Sequence, residues 1–255
     1  MLESIAGWLS LSPTQALIMI AAVFVAGIVR GFSGFALSAV TMAIAVFILP
    51  PVLLIPVCLL LEVVAGLLML RGGLREADIK LVLGMTAGQA VGIPLGLAAT
   101  TSIATSTSTL VAQLLILVLA VAQLTSWRPA WMASKRATFI AGLIAGIAAG
   151  LANLGGMVVA VFIIAQQLPA RQIRGSLVMY LFIGNFIAAA YQTAFGVLTQ
   201  EALTRGLVLA PVVILGVLIG QWLFRPGMET VYRRSCLGLL ITLALFGLTR
   251  IVLAA

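Results

Sequence analysis

Residues 27–34 read Gly-Ile-Val-Arg-Gly-Phe-Ser-Gly, and they interrupt an apolar run that extends from about residue 14 to about residue 49. A second run, from about 137 to 168, is interrupted in the same manner by GLANLGG, residues 150–156. Each run is longer than the roughly 20 residues that one helical crossing of a bilayer needs. The two align without gaps at an offset of 119 residues, which puts Gly27, Gly31 and Pro50 on Gly146, Gly150 and Pro169. These matches fall where backbone geometry matters most, at the glycines of the interruption and the proline of the exit. Downstream, GIPLG at 92–96 and GVLIG at 216–220 recur in the same order. The chain therefore reads as two homologous halves, 14–126 and 137–255, with an N-terminal segment 1–13 and a basic connector 127–136.

The composition around the breaks fixes the solvent. Hydrophobic residues make up 63% of the chain and charged ones 8%, and the mean hydropathy is +1.27. A soluble globule of this size cannot hide that much apolar surface, so the surroundings are lipid. Backbone polar groups in hydrocarbon must be satisfied internally, by helices or by closed barrels, and these apolar runs are continuous rather than alternating. The expected class is an all-α, polytopic membrane bundle. Further runs lie at about 52–70, 81–99, 109–126, 175–195, 206–224 and 235–254. The stretch before the first run has no Lys or Arg, so it lacks the basic region of a cleaved signal peptide and is expected to stay.

Net charge is +8, yet the cations sit in short gaps between apolar runs, which is an orientation signal and not a nucleic-acid face. If segments one and five are re-entrant hairpins, Arg71, Arg75, Lys80, Arg128, Lys135, Arg136, Arg171, Arg174, Arg225, Arg233 and Arg234 share one face, with Arg205 and Arg250 opposite. Leaving out Arg30, that is 11 against 2, whereas single broken crossings give 8 against 5. The hairpin arrangement satisfies the positive-inside rule better. Its arms, Gln15 to Val29 and Phe35 to Leu49, are 15 residues each, about 22 Å as helix, and stop short of a hydrocarbon core of about 30 Å. The halves are then inverted relative to one another. Trp127 and Trp131 suit an interfacial belt.

Inverted repeats with broken helices hold substrate near the membrane midplane, where half-helix N-termini aim their positive ends at an anion. The candidate ligands are Arg30, Gly31, Ser33 and Gly34 in one half and Asn153, Gly155 and Gly156 in the other, with Asn185 lining a path. Arg30 is the one cation embedded in an apolar run and needs a partner, either an anionic substrate or Glu62, the one acid inside a predicted helix. Glu62 is also the candidate for proton coupling. The plainer readings are that Arg30 snorkels, that Glu62 is a structural hydrogen-bonder, and that the Gly27–Gly31 and Gly146–Gly150 spacings only pack helices. Gln89, Gln113, Gln166, Gln167 and Gln192 read as interhelical hydrogen-bonders. Cys58 and Cys236 fall inside apolar runs and read as core, and the absence of histidine excludes a Cys/His metal site. No hydrolytic constellation and no phosphate-cradling loop occurs, so neither an enzyme nor a cofactor is expected and an ATP-driven pump is excluded.

On these residues the sequence resembles the TauE/SafE family of sulfite exporters and related permeases. GIVRGFSG at 27–34, GIAAGLANLGG at 146–156, Pro50, Pro169 and RGSLVMYLF at 174–182 carry the likeness, which covers nearly the whole chain. The family commonly has a run of glycines where Phe35, Ala36 and Leu37 stand here. The resemblance implies transport of small anions, often sulfite or sulfonates, across the bacterial cytoplasmic membrane. A secondary transporter is the leading reading; an anion channel of the same architecture, a carrier of other small organic anions and a non-transporting scaffold stay open. So do the direction, the coupling ion and a homodimer.

Overall fold

The computed structural model describes residues 2–124, 134–166, 168–223 and 229–254, and these hold eleven helices and no strand. A short α1 (Leu2–Leu9) precedes α2 (Pro13–Ser33), α3 (Leu37–Ala45), α4 (Pro51–Glu76), α5 (Ile79–Ser102) and α6 (Thr105–Leu124). After the connector come α7 (Lys135–Ala152), α8 (Gly155–Ala165), α9 (Ala170–Ala194), α10 (Gln200–Leu223) and α11 (Glu229–Ala254). Six of them, α2, α4, α5, α6, α9 and α10, are long and apolar enough to cross a membrane. Large apolar side chains such as Leu207, Leu215 and Trp222 are exposed along α10, as lipid-facing residues should be. The protein is a multi-pass helical membrane protein.

Two helix pairs organise the bundle, and both join the first half to the second. Along α2 and α10, Gly27 packs on Gly216 and Gly220 packs on Ile28 and Phe32, so the two helices run parallel. A Cβ on Gly27 would lie 3.0 Å from the Val213 carbonyl oxygen and 3.1 Å from the Gly216 Cα. Along α5 and α7, Gly92 faces Gly146 and Gly96 faces Gly150, again in parallel, and added Cβ atoms would come within 2.9 Å of the facing Cα. Lipid offers no hydrophobic drive between helices, and glycine faces let the backbones approach closely enough for dispersion to hold them. Helix α9 runs antiparallel to α4, with Phe182 on Gly66, Val178 on Gly73, and Gly175 against Glu76 and Ala77. At that last contact the Asp78 amide donates to the Ser176 hydroxyl at 2.9 Å, and the Asp78 carboxylate caps α5 by accepting from the Leu81 amide.

These directions gather Arg71, Arg75, Lys80, Arg136, Arg171 and Arg174 toward one end of the bundle. Arg205 lies at the opposite end, donating to the Leu9 carbonyl at 2.8 Å and pairing with Glu201 at 2.6 Å. Most of the connector, with Arg128, Trp127 and Trp131, lies outside the described residues. So do Gln167, Arg225 and the side chains of Lys135, Arg233, Arg234, Cys236 and Arg250.

The arm lengths differ from the expectation of 15 residues each. Helix α2 has 21 residues and α3 has 9, so the first arm is about 31 Å long and can cross on its own. Its start is fixed early by a capping box at Ser12 and Gln15 with Pro13 in the first turn. Its end comes late because Gly31 stays helical, held against Val217 of α10. The interruptions are correspondingly narrower than 30–34 and 150–156. They occupy residues 34–36 between α2 and α3, and 153–154 between α7 and α8.

Candidate functional site

Helix α2 stops at Gly34, whose φ of 83° is left-handed and whose amide closes on the Arg30 carbonyl at 2.9 Å. Ser33 folds over this end, its hydroxyl within 2.8 Å of the Val29 and Phe35 carbonyls. Ala36 also adopts a left-handed φ, 70°, before α3 begins. In the second half Asn153 ends α7 at φ 54°, its amide donating to the Ala149 carbonyl at 2.8 Å. Asparagine tolerates this conformation better than most side chains do.

Arg30 is fully buried, and so, very nearly, is Glu62. Their side chains pair across 3.4 Å, Arg30 Nη2 to Glu62 Oε2, and a second Arg30 nitrogen donates to the Gly34 carbonyl. The cation thus neither reaches a surface nor stands alone. The other Glu62 oxygen, Oε1, accepts from the Ser38 hydroxyl at 3.0 Å and from the Ser38 amide at 3.4 Å. Ser38 lies in the first turn of α3, which has no side-chain cap of its own. Glu62 therefore supplies the negative group that this helix N-terminus favours. Ser38 Oγ in turn accepts from Asn153 Nδ2 at 2.9 Å. One chain of contacts, an ion pair from Arg30 to Glu62 and hydrogen bonds from Glu62 to Ser38 and from Ser38 to Asn153, ties the α2–α3 interruption to the α7–α8 interruption.

Beside this chain is a small cavity lined by Glu62, Ser38, Gln89, Asn153, Gly155, Gly156, Ala149, Leu181, Asn185 and Ala188. At about 10 Å³ it has room for roughly one water. The first-turn amides of α8, at Gly155 and Gly156, belong to the residues around it, and helix geometry gives such amides no partner within their own helix. Asn185 is 5% exposed and its Nδ2 has no hydrogen-bond partner; Gln89 Oε1 is likewise buried and unpartnered. Gly155 is required by its setting, since a Cβ there would sit 2.7 Å from the Ala145 carbonyl oxygen. Leu181 closes over Gly156, 3.0 Å from where its Cβ would be.

The sequence candidates divide between two places. Glu62, Asn153, Gly155, Gly156 and Asn185 line the cavity, and Arg30 stands behind Glu62. Gly31, Ser33 and Gly34 lie at the end of α2, where Arg174 of α9 donates to the Gly31 carbonyl at 2.7 Å and packs on Gly34. Arg174 also borders a vestibule of about 340 Å³ at the basic end of the bundle, with Arg71, Glu76, Gly175 and Gln221 among its walls. Ser38 and Arg174 escaped sequence reasoning. The available signal for Ser38 was a hydroxyl in the first turn after a break; for Arg174 it was its charge and its place at the head of the RGSLVMYLF stretch.

Chemically, the centre pairs an internally compensated Arg–Glu couple with donors that are poor in acceptors: the α8 amides and the Asn185 amide. Such a centre suits a small, hydrogen-bond-accepting anion. No curated protein and no solved structure matches the chain. The family described as Sulfite exporter TauE/SafE matches it over residues 19–247.

Proposed function

Because the chain belongs to the TauE/SafE sulfite exporter family, we propose that it is a secondary transporter of small sulfur oxyanions or organosulfonates, with sulfite the reference substrate. It works by alternating access in the bacterial cytoplasmic membrane. The observation that carries this reading is the meeting of the two interruptions: Asn153 bonded to Ser38, and the N-terminus of α8 opening on a buried polar cavity. Helix N-termini and glycine-flanked amides are how membrane proteins present positive potential to an anion without spending a free cation at depth.

The reading of two inverted repeats is supported by the crosswise pairing. The first long helix of each half packs in parallel on a later helix of the other half, α2 on α10 and α7 on α5. The basic end is then cytoplasmic, and the vestibule at Arg71 and Arg174 is the inner mouth. A cavity with room for about one water is too narrow for a continuous anion path, which favours a carrier over an open channel. Protons are the coupling ion in this reading.

Proteoliposomes loaded with sulfite test it. The expected results are saturable flux, counterflow by external sulfite or a sulfonate, acceleration by a proton gradient, and a loss of at least about tenfold in Asn153→Ala. Flux that rises linearly without counterflow would select the channel reading, and no movement of any sulfur anion would remove the substrate class.

A further inference from the structure

We infer that the molecule contains two equivalent anion seats, one at the N-terminus of α3 and one at that of α8. The first is permanently occupied by the Glu62 carboxylate, so only the α8 seat takes a ligand, a single small oxyanion. The inference rests on the reading of α8 as the substrate-binding helix and names the seat.

The alignment of the halves supports it residue by residue. At the offset of 119 residues, Gly34 corresponds to Asn153, and these are the two left-handed residues that end α2 and α7. At the same offset Arg30 corresponds to Ala149 and Glu62 to Leu181. Both Ala149 and Leu181 line the cavity. Where the first half holds a buried ion pair, the second half therefore has two apolar side chains and a space.

The N-terminus of α3 is served: the Ser38 amide and hydroxyl both point at Glu62 Oε1, 3.4 and 3.0 Å away. The corresponding turn of α8 has no carboxylate. Two residues that line the same cavity carry unpartnered buried atoms, the donor Asn185 Nδ2, 5% exposed, and the acceptor Gln89 Oε1. A donor in that position, next to first-turn amides, is matched by an oxygen of an anion. Glu62 itself also lines the cavity, but its charge is shared with Arg30 and its Oε1 is engaged by Ser38. That leaves the α8 amides and Asn185 as the donors for one small anion. A sulfur oxyanion is larger than the cavity, so binding moves its walls; Leu181, the flexible side chain against Gly156, is the first to shift.

The test uses the full chain purified in detergent, with sulfite titrated calorimetrically and thermal unfolding followed in sulfite and in chloride. Wild type is expected to bind one sulfite per chain. Asn185→Asp places a fixed carboxylate at the α8 seat and should weaken sulfite by at least about tenfold, the factor that a charge-assisted hydrogen bond carries, while remaining folded. Glu62→Gln removes the resident charge from the α3 seat and leaves Arg30 uncompensated, so the protein should acquire a stabilisation by chloride that wild type lacks.

Undiminished sulfite binding in Asn185→Asp would overturn the assignment, as would a Glu62→Gln protein indifferent to chloride. Where Glu62→Gln yields no protein even in high chloride, Asn185→Asp decides alone. If chloride stabilises Glu62→Gln but no sulfur anion is transported by wild type, the two seats stand and the substrate reading falls. If sulfite is transported while the variants behave like wild type, the reverse holds.

Discussion

Asn153 and Ser38, 115 residues apart in the chain, share a hydrogen bond of 2.9 Å between Nδ2 and Oγ. The bond spans the two interruptions and joins a residue that ends one helix to a residue that starts another. Its partners are not independent, because Ser38 also holds Glu62, which holds Arg30.

The first prediction follows from that chain. Ser38→Ala and Asn153→Ala should each destabilise the protein, Ser38→Ala by more, since it also leaves Glu62 with one donor fewer. The double variant should cost less than the sum, with a coupling of about 1 kcal/mol. Thermal unfolding of the four proteins in the same detergent measures it, and strict additivity would mean that the contact does not couple the halves.

The ion pair makes a sharper case. Arg30→Met leaves Glu62 buried without its ion-pair partner, which should cost about 3–5 kcal/mol, whereas Arg30→Met with Glu62→Leu should recover part of the loss. Accumulation in membranes and the unfolding midpoint report the difference. A single variant as stable as the double would show that the pair is not held as described.

Gly31→Ala separates packing from binding at a residue where both readings began. A methyl there collides with the Val217 backbone on α10, so folding yield should fall, by about 1–3 kcal/mol of stability or more. Gly7→Ala, with nothing within 4 Å, should be neutral. Yield and unfolding midpoints decide; a Gly31→Ala protein with normal stability and lost flux would return Gly31 to the substrate site.

Ala36 has a φ of 70°, which carries the cost of a Cβ in the left-handed region. Ala36→Gly should therefore stabilise the chain by about 1 kcal/mol, net of the added freedom of the unfolded state. A lower unfolding midpoint in Ala36→Gly would contradict this.

The long apolar helices and the positions of the glycine faces were legible because lipid enforces both length and composition. The approximate location of the interruptions was legible from Gly34 and Asn153. Their width was not: Arg30 and Gly31 look like loop residues in the sequence, yet both are helical and Gly31 packs on Val217 of α10, a contact that no local pattern announces. The same limit applies to partners. Arg30 could be paired with Glu62 or with a substrate from the sequence alone, and only the fold brings Glu62 to 3.4 Å. Ser38 offered only a hydroxyl just after a break, a signal that gains weight once its neighbours across the bundle are known.

The crosswise helix pairing bears on how the molecule is made. Gly27 meets Gly216, so α2 enters the bilayer and remains there with its contact face unmatched until α10 has been synthesised. At ordinary ribosomal speed, the gap between them amounts to about ten to forty seconds. During that interval the nascent first half depends on lipid, or on an insertion factor, to cover a groove that its own later sequence will fill.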